Sequence, residues 1–334
     1  MSAAPPTEGE AGWEAVAPAR RRTPAASRTR IVLAVTFAAL LVAVPFVVPG
    51  YKTSLVIETL IFATLAMSID LLAGYAGRVS LGHGAIFGIA TYVVLYHVTT
   101  NAGSPWVGML LGVVAATLAA VVFALLAIRT SGVYFLLLTL ALGMIVWGMC
   151  LRWTSVTGGE NGLRGTVAPA WLSPQPVFYF FILIVTSVMT WLMWRFARSP
   201  FGLTLQGIRE SESRMRALGY NVRNYKLAAF VIAAAFAGLA GVIIAQLNLF
   251  IAPESAHWTQ SGLVLVMVLI GGTQSMFGSV VGATIVLLLQ HWLSSYTEYW
   301  SLALGLLFIA LILWARDGLY GVAARALAQL RERS

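Results

Sequence analysis

Apolar runs separated by short polar breaks fall at about 31–49, 53–74, 81–98, 105–128, 132–151, 176–194, 227–250, 261–272, 279–293 and 299–315. A helix needs roughly 20 apolar residues to cross the hydrocarbon of a bilayer. Most of the runs reach that length, while 81–98, 261–272 and 279–293 are short or broken. The pattern predicts an all-α polytopic membrane protein with ten crossings. It predicts eight if the two short runs around Gly271 form a re-entrant pair.

The polar breaks orient the chain. Basic residues number five up to residue 30, seven in 195–226 and four from Arg316 onward, sixteen of the 21 in all. Positive charge collects on the cytoplasmic side of membrane proteins, so these three segments are expected there, with both termini. Ten crossings also put Arg78 and Arg129 inside and leave Lys52, Arg152 and Arg164 outside. Residues 1–30, rich in Ala, Pro, Ser and Arg, read as a disordered tail. A secretory signal is disfavoured because the polar lead is long and Pro45 and Pro49 end the first run without a small-residue cleavage site. The expected organisation is a tail to residue 30, a transmembrane domain over 31–315 and a second tail over 316–334.

Composition agrees: 59% of residues are hydrophobic, 10% are charged and the mean hydropathy is +0.85. That balance excludes a soluble domain, and the +9 charge does not point to nucleic acid because it is concentrated in polar breaks. A lone cysteine, Cys150, excludes an intrachain disulfide or a cysteine metal cluster. No G-x-x-x-x-G-K-[ST] occurs, so ATP-driven work needs another subunit.

Two stretches break their helices with glycine, GYAGRVSLGHGAIFG from Gly74 to Gly88 and GGTQSMFGSVVGA from Gly271 to Ala283. Paired interruptions of this kind mark the path between inverted repeats of transporters, whereas glycines such as Gly238 and Gly241 serve close helix packing. Asp70 is an intramembrane carboxylate beside the first break. It is expected to pair with Arg78 at the membrane edge, the alternative being a proton or substrate site. Glu58 lies near the outer end of the same helix, within reach of water. His83 is expected to be a hydrogen-bonded core residue, since no Cys or carboxylate cluster accompanies it as a metal site would need.

The long polar interruption, RFARSPFGLTLQGIRESESRMRALGYNVRNYK, separates two apolar runs. Its middle, Leu205 to Gly219, reads as one short helix ending where a glycine can take the left-handed cap conformation. Such a helix suits the passage of force from a soluble partner to a membrane core; the alternative is an ordinary basic loop.

Four motifs resemble the LivM-type permease subunits of branched-chain amino-acid ABC importers. G-Y-x-G-[QR]-x-S-L-G-H is matched by Gly74, Tyr75, Gly77, Arg78, Ser80, Leu81, Gly82 and His83. T-G-G-x-N-G is matched by Thr157, Gly158, Gly159, Asn161 and Gly162. The pattern around A-I-R-E and A-L-G is matched by Arg209, Glu210, Ala217, Leu218, Gly219 and Lys226, with Gly207 for the usual alanine and Met215 for a small residue. The last is matched by Gly271, Gly272, Ser275, Gly278, Gly282 and Ala283, with Gln274 where a third glycine is usual. Asp70 stands where the family usually has asparagine.

The resemblance implies a bacterial inner-membrane permease without a catalytic, cofactor or metal site of its own. Its implied partners are a second homologous permease, two ATPases carrying ATP and magnesium, and an extracytoplasmic solute-binding protein. It implies an ATPase-coupling role for Gly207, Arg209, Glu210, Ala217 and Gly219, and a substrate path along Tyr75, Ser80, His83, Gly271, Gly272 and Ser275. Thr157, Gly158, Gly159, Asn161 and Gly162 form an outer loop motif. The implied substrate is a branched-chain amino acid, with urea or short amides as relatives' alternatives. A proton-coupled secondary transporter using Asp70 and Glu58 is the rival mechanism.

Overall fold

The computed structural model describes residues 36, 39–48, 50–165, 172, 175–296, 298–299, 301–303, 305–306, 308–309 and 318–319. The expected tail 1–30, the expected tail 316–334 apart from residues 318–319, and most of the run 299–315 lie outside them. Residues 39–47 form helix α1, in a compact unit ending at Val47. The second unit starts at Val48 and holds the rest of the helices. In chain order these are α2 (Gly50–Asp70, extended by a π turn over Leu71–Tyr75), α3 (His83–Thr100), α4 (Pro105–Ala127) and α5 (Val133–Arg152). A short α6 (Thr154–Thr157) and strand β1 (Leu163–Arg164) precede α7 (Gln175–Ala197). Then come α8 (Pro200–Glu210), α9 (Glu212–Ala217), α10 (Val222–Asn248), strand β2 (Phe250–Ile251), α11 (Trp258–Gly271) and α12 (Met276–Ser294).

Among the described residues, six helices are long and apolar enough to cross a membrane: α2 with its π turn, α4, α5, α7, α10 and α12. The chain is a multi-pass membrane protein. The run 261–272 corresponds to α11, whose 14 residues rise about 21 Å, short of the roughly 30 Å hydrocarbon core.

Helix α4 shows how the chain is turned inside out relative to a water-soluble bundle. Gly108, Gly112, Ala116 and Ala120 are buried, while Leu110, Leu118 and Leu125 lie exposed on the other face. In lipid, large apolar side chains gain nothing by leaving the surface, so small residues take the interior and let backbones close up. The centre is accordingly α3, α4 and α10, packed against one another. A side chain on Gly238 would fall 2.5 Å from the Ala116 methyl, and one on Gly241 would fall on the Phe87 carbonyl. The Thr91 hydroxyl donates to the Gly241 carbonyl at 2.7 Å, tying α3 to α10. Helix α2 packs on α7, α10, α11 and α12.

Only part of the first glycine-rich stretch is a break. The π turn ends α2 at Tyr75, residues 76–82 run without helix, and α3 starts at His83. Gly84 and Gly88 lie inside α3 and serve packing. The Gly84 amide donates to the Ser261 hydroxyl at 2.7 Å, and Gly88 lies against Ala256.

Candidate functional site

The two breaks meet. Asp70, fully buried at the end of α2, accepts a 2.8 Å hydrogen bond from the Gln274 amide. The Tyr75 hydroxyl donates to the Gln274 carbonyl at 3.2 Å. A side chain on Gly74 would come 2.7 Å from the Gln274 nitrogen, so the approach is available only to glycine. Gln274 itself sits at φ +64°, a conformation costing a non-glycine residue about 1–2 kcal/mol. Its backbone is thus gripped on both sides by the first break. Gly271 fits against the Gly278 carbonyl across the turn, Gly272 lies against Gly318, and the Ser275 hydroxyl caps α12 by accepting from the Gly278 amide at 3.0 Å.

The expected Asp70–Arg78 ion pair is absent. The turn and loop between them send Arg78 the other way. Its guanidinium donates to the Thr130 carbonyl, lies 5.1 Å from the centre of the Phe135 ring, and pairs with Glu212 at 3.7 Å. Glu58 likewise has a protein partner: its carboxylate lies 3.1 Å from His291 Nε2 on α12. His83 is fully buried and neither ring nitrogen has a hydrogen-bond partner, contrary to expectation; its ring meets the Phe230 ring at 5.4 Å instead. The Ser80 hydroxyl accepts from the Gly82 amide at 3.2 Å, closing a turn just before α3. Tyr75, Gly271, Gly272 and Ser275 therefore gather at one joint, and Ser80 and His83 make their contacts elsewhere.

The charged segment is two helices, not one. Ser199 and Pro200 start α8: the Ser199 hydroxyl accepts from the Gly202 amide at 3.2 Å, and proline at the first turn costs no hydrogen bond. Ser211 breaks the run with extended backbone (φ −158°) and caps α9 by accepting from the Arg214 amide. Gly207 leaves room for Met215, folding α9 back on α8. Gly219 ends the segment at φ +87°, the cap conformation expected there.

Two side chains bind this segment to the membrane helices. Arg209 donates to the Gly74 carbonyl and lies along Gly77, so α8 touches the first break directly. Glu212 accepts from Lys226 at the start of α10 and also meets Arg216 at 3.3 Å and Arg78. Burial alone would raise the Glu212 carboxyl, but the hydrogen bond and charge of Lys226, with Arg78 and Arg216, hold it below the usual carboxylate range. Glu210, Ala217 and Leu218 are exposed. Sequence reasoning passed over Glu212; its signal was an acid placed between two basic positions, Arg209 and Arg216, at a helix start.

At the other pole lies a clasp. The Thr157 hydroxyl donates to the carbonyls of Cys150 (2.6 Å) and Trp153 (2.8 Å), holding α6 on the end of α5. Gly158, Gly159 and Gly162 all have positive φ, and β1 then pairs antiparallel with β2, Leu163 opposite Ile251. At Gly162 the Ile251 carbonyl stands where a side chain would be. The outer loop motif thus shapes a backbone strap between the ends of α5 and α10.

These features define a polytopic membrane protein whose two broken helices meet under a charged segment anchored to them. Residues 52–314 match the family described as branched-chain amino acid transport system / permease component, and the chain belongs to that family. It is 27% identical to the high-affinity branched-chain amino acid transport system permease protein LivM of Escherichia coli, over 84% of this chain and 72% of that one. To the LivM of Salmonella typhimurium it is 28% identical over 83% and 72%. A shorter stretch, 38% of this chain and 39% of the relative, is 25% identical to the autoinducer 2 import system permease protein LsrC of Photorhabdus laumondii. No solved structure matches.

Proposed function

We propose that the chain is the membrane permease subunit of an ABC importer in the bacterial inner membrane, moving branched-chain amino acids. Its charged segment and both termini face the cytoplasm. The work is driven by ATP and magnesium in two separate ATPases, beside a second homologous permease and an extracytoplasmic solute-binding protein. The observation that carries this reading is the chain of contacts from charged segment to glycine breaks. Arg209 on α8 holds the first break at Gly74, and Tyr75 and Asp70 hold the second at Gln274.

A displacement of α8 and α9 by the closing ATPases would be felt first at these breaks. There α2 and α11 end and α12 begins, and non-helical backbone can shift without unravelling a helix. Glu210, Ala217 and Leu218 on the exposed side are the surface offered to the ATPase. Gly207 sets the fold of the two short helices and Gly219 ends them. Tyr75, Gly271, Gly272 and Ser275 line the moving joint of the substrate path.

The test is uptake of radiolabelled leucine, valine, urea and acetamide by proteoliposomes containing the complete complex, with its binding protein outside. ATP sealed inside should drive leucine or valine uptake. Uptake driven by a proton gradient alone would replace this reading with a secondary transporter. ATP-driven uptake confined to urea or acetamide would correct the substrate.

A further inference from the structure

Lys226 and Arg78 are cations in places where cations are costly: their side chains are 5% and 9% exposed, at the start of α10 and in the first break. Both turn to one carboxylate, Glu212, which is 41% exposed and sits on the charged segment rather than in the membrane bundle. Burying a charge is tolerable only while its partner stays in place, and removing the partner leaves it uncompensated. Here the removal would expose two like charges to each other. Among the described residues, no second acid lies within ion-pair distance of Arg78 or Lys226.

We infer that Glu212 is a positioning residue, a latch that holds the charged segment against α10 and the first break. Resting on the importer reading, it makes the yield of transport per ATP depend on this carboxylate. The aromatic contacts continue the line inward. Arg78 lies over Phe135, Phe135 meets Phe230 edge-on at 6.0 Å, and Phe230 meets the buried His83 that begins α3. Movement of Glu212 therefore acts on three membrane helices at once: α10 through Lys226, α5 through Phe135, and α3 through Phe230. Ser211 separates the two ties, because its extended backbone divides α9, which carries Glu212, from α8, which Arg209 holds at the first break.

The experiment measures solute moved per ATP hydrolysed in proteoliposomes, using whichever of the four solutes the wild-type complex takes up. Complex yield and thermal stability are recorded separately. Glu212→Gln keeps the shape and removes the charge; it should lower solute moved per ATP about tenfold or more in the assembled complex, the equivalent of one charged hydrogen bond. Glu212→Asp should keep most of the ratio. Exchanging the pair, Glu212→Lys with Lys226→Glu, should recover part of what Glu212→Lys alone loses. A Glu212→Gln complex with the wild-type ratio overturns the latch while leaving the importer intact. A charge exchange that recovers none of the Glu212→Lys loss overturns it too, since the contact between positions 212 and 226 would then not carry the effect. A wild-type complex that moves none of the solutes with ATP overturns the importer reading and the latch with it.

Discussion

The two poles of the protein are both built where helices are interrupted, yet they are held by different means. At the clasp the geometry is set chiefly by backbone, with three glycines at positive φ and a two-residue ladder, and one short threonine hydroxyl on carbonyls beside them. At the joint the contacts are side chain to backbone or charge to charge: Asp70 and Tyr75 on Gln274, Arg209 on Gly74, Glu212 on Lys226 and Arg78. A backbone strap has one geometry and fails if it is altered. A set of long side chains can release and remake its bonds as the groups they hold move. The difference assigns rigidity to one pole and exchange to the other.

The sharpest way to break that contrast is at the clasp. Gly162→Ala should cost about 3 kcal/mol or more, from a left-handed alanine plus a methyl forced onto the Ile251 carbonyl. It should show as a large drop in yield and thermal stability of the purified complex; near-wild-type stability would remove the clasp's rigidity. Arg209→Ala comes next. It forfeits a charged hydrogen bond of about 1.5–3 kcal/mol, and the loss should appear in uptake more than in stability. Loss of stability without loss of uptake would make Arg209 a structural clamp.

Smaller effects are expected within the joint. Asp70→Ala orphans the Gln274 amide and should cost about 1–3 kcal/mol, whereas Asp70→Asn keeps an acceptor there and should be mild in both stability and uptake. Abolished uptake in Asp70→Asn, with the complex intact, would instead make the carboxylate a proton or substrate site. Smallest of all, Gln274→Gly relieves the left-handed residue and should raise stability by up to about 1 kcal/mol with uptake retained. A thermal melt that falls in this variant would show that the Gln274 side chain is needed.

The helices were legible because their apolar runs are long and uniform; so were the break at Gly271–Gly272 and the glycine stop at Gly219. The clasp motif was visible as a motif, but nothing local told that Gly162 faces a carbonyl on a strand some ninety residues later. The pairings misread were all long-range. Asp70 and Arg78 are near in sequence and seemed natural partners by charge, yet a π turn separates them and each finds its partner far along the chain. Ser211 was hidden inside a good helical run; a serine followed by a glutamate can start a helix as readily as continue one. His83 was expected to be hydrogen-bonded because buried polar groups usually are, and it is an exception to that rule.

Helix α2 is fastened to one neighbouring hairpin by two polar contacts. The helix meets the α11–α12 hairpin at two points, through Glu58 and His291 near its middle and through Asp70 and Gln274 at its C-terminal end. A body fastened at one point can still turn in any direction about it. Fastened at two, it keeps a single degree of freedom, rotation about the line joining them. With α2 and α12 also packed against each other, the pair tilts as one block while both bonds hold, and can part only where the joint exchanges its partners. Relative sliding, if the protein works by any, has to be sought along the remaining faces of that block.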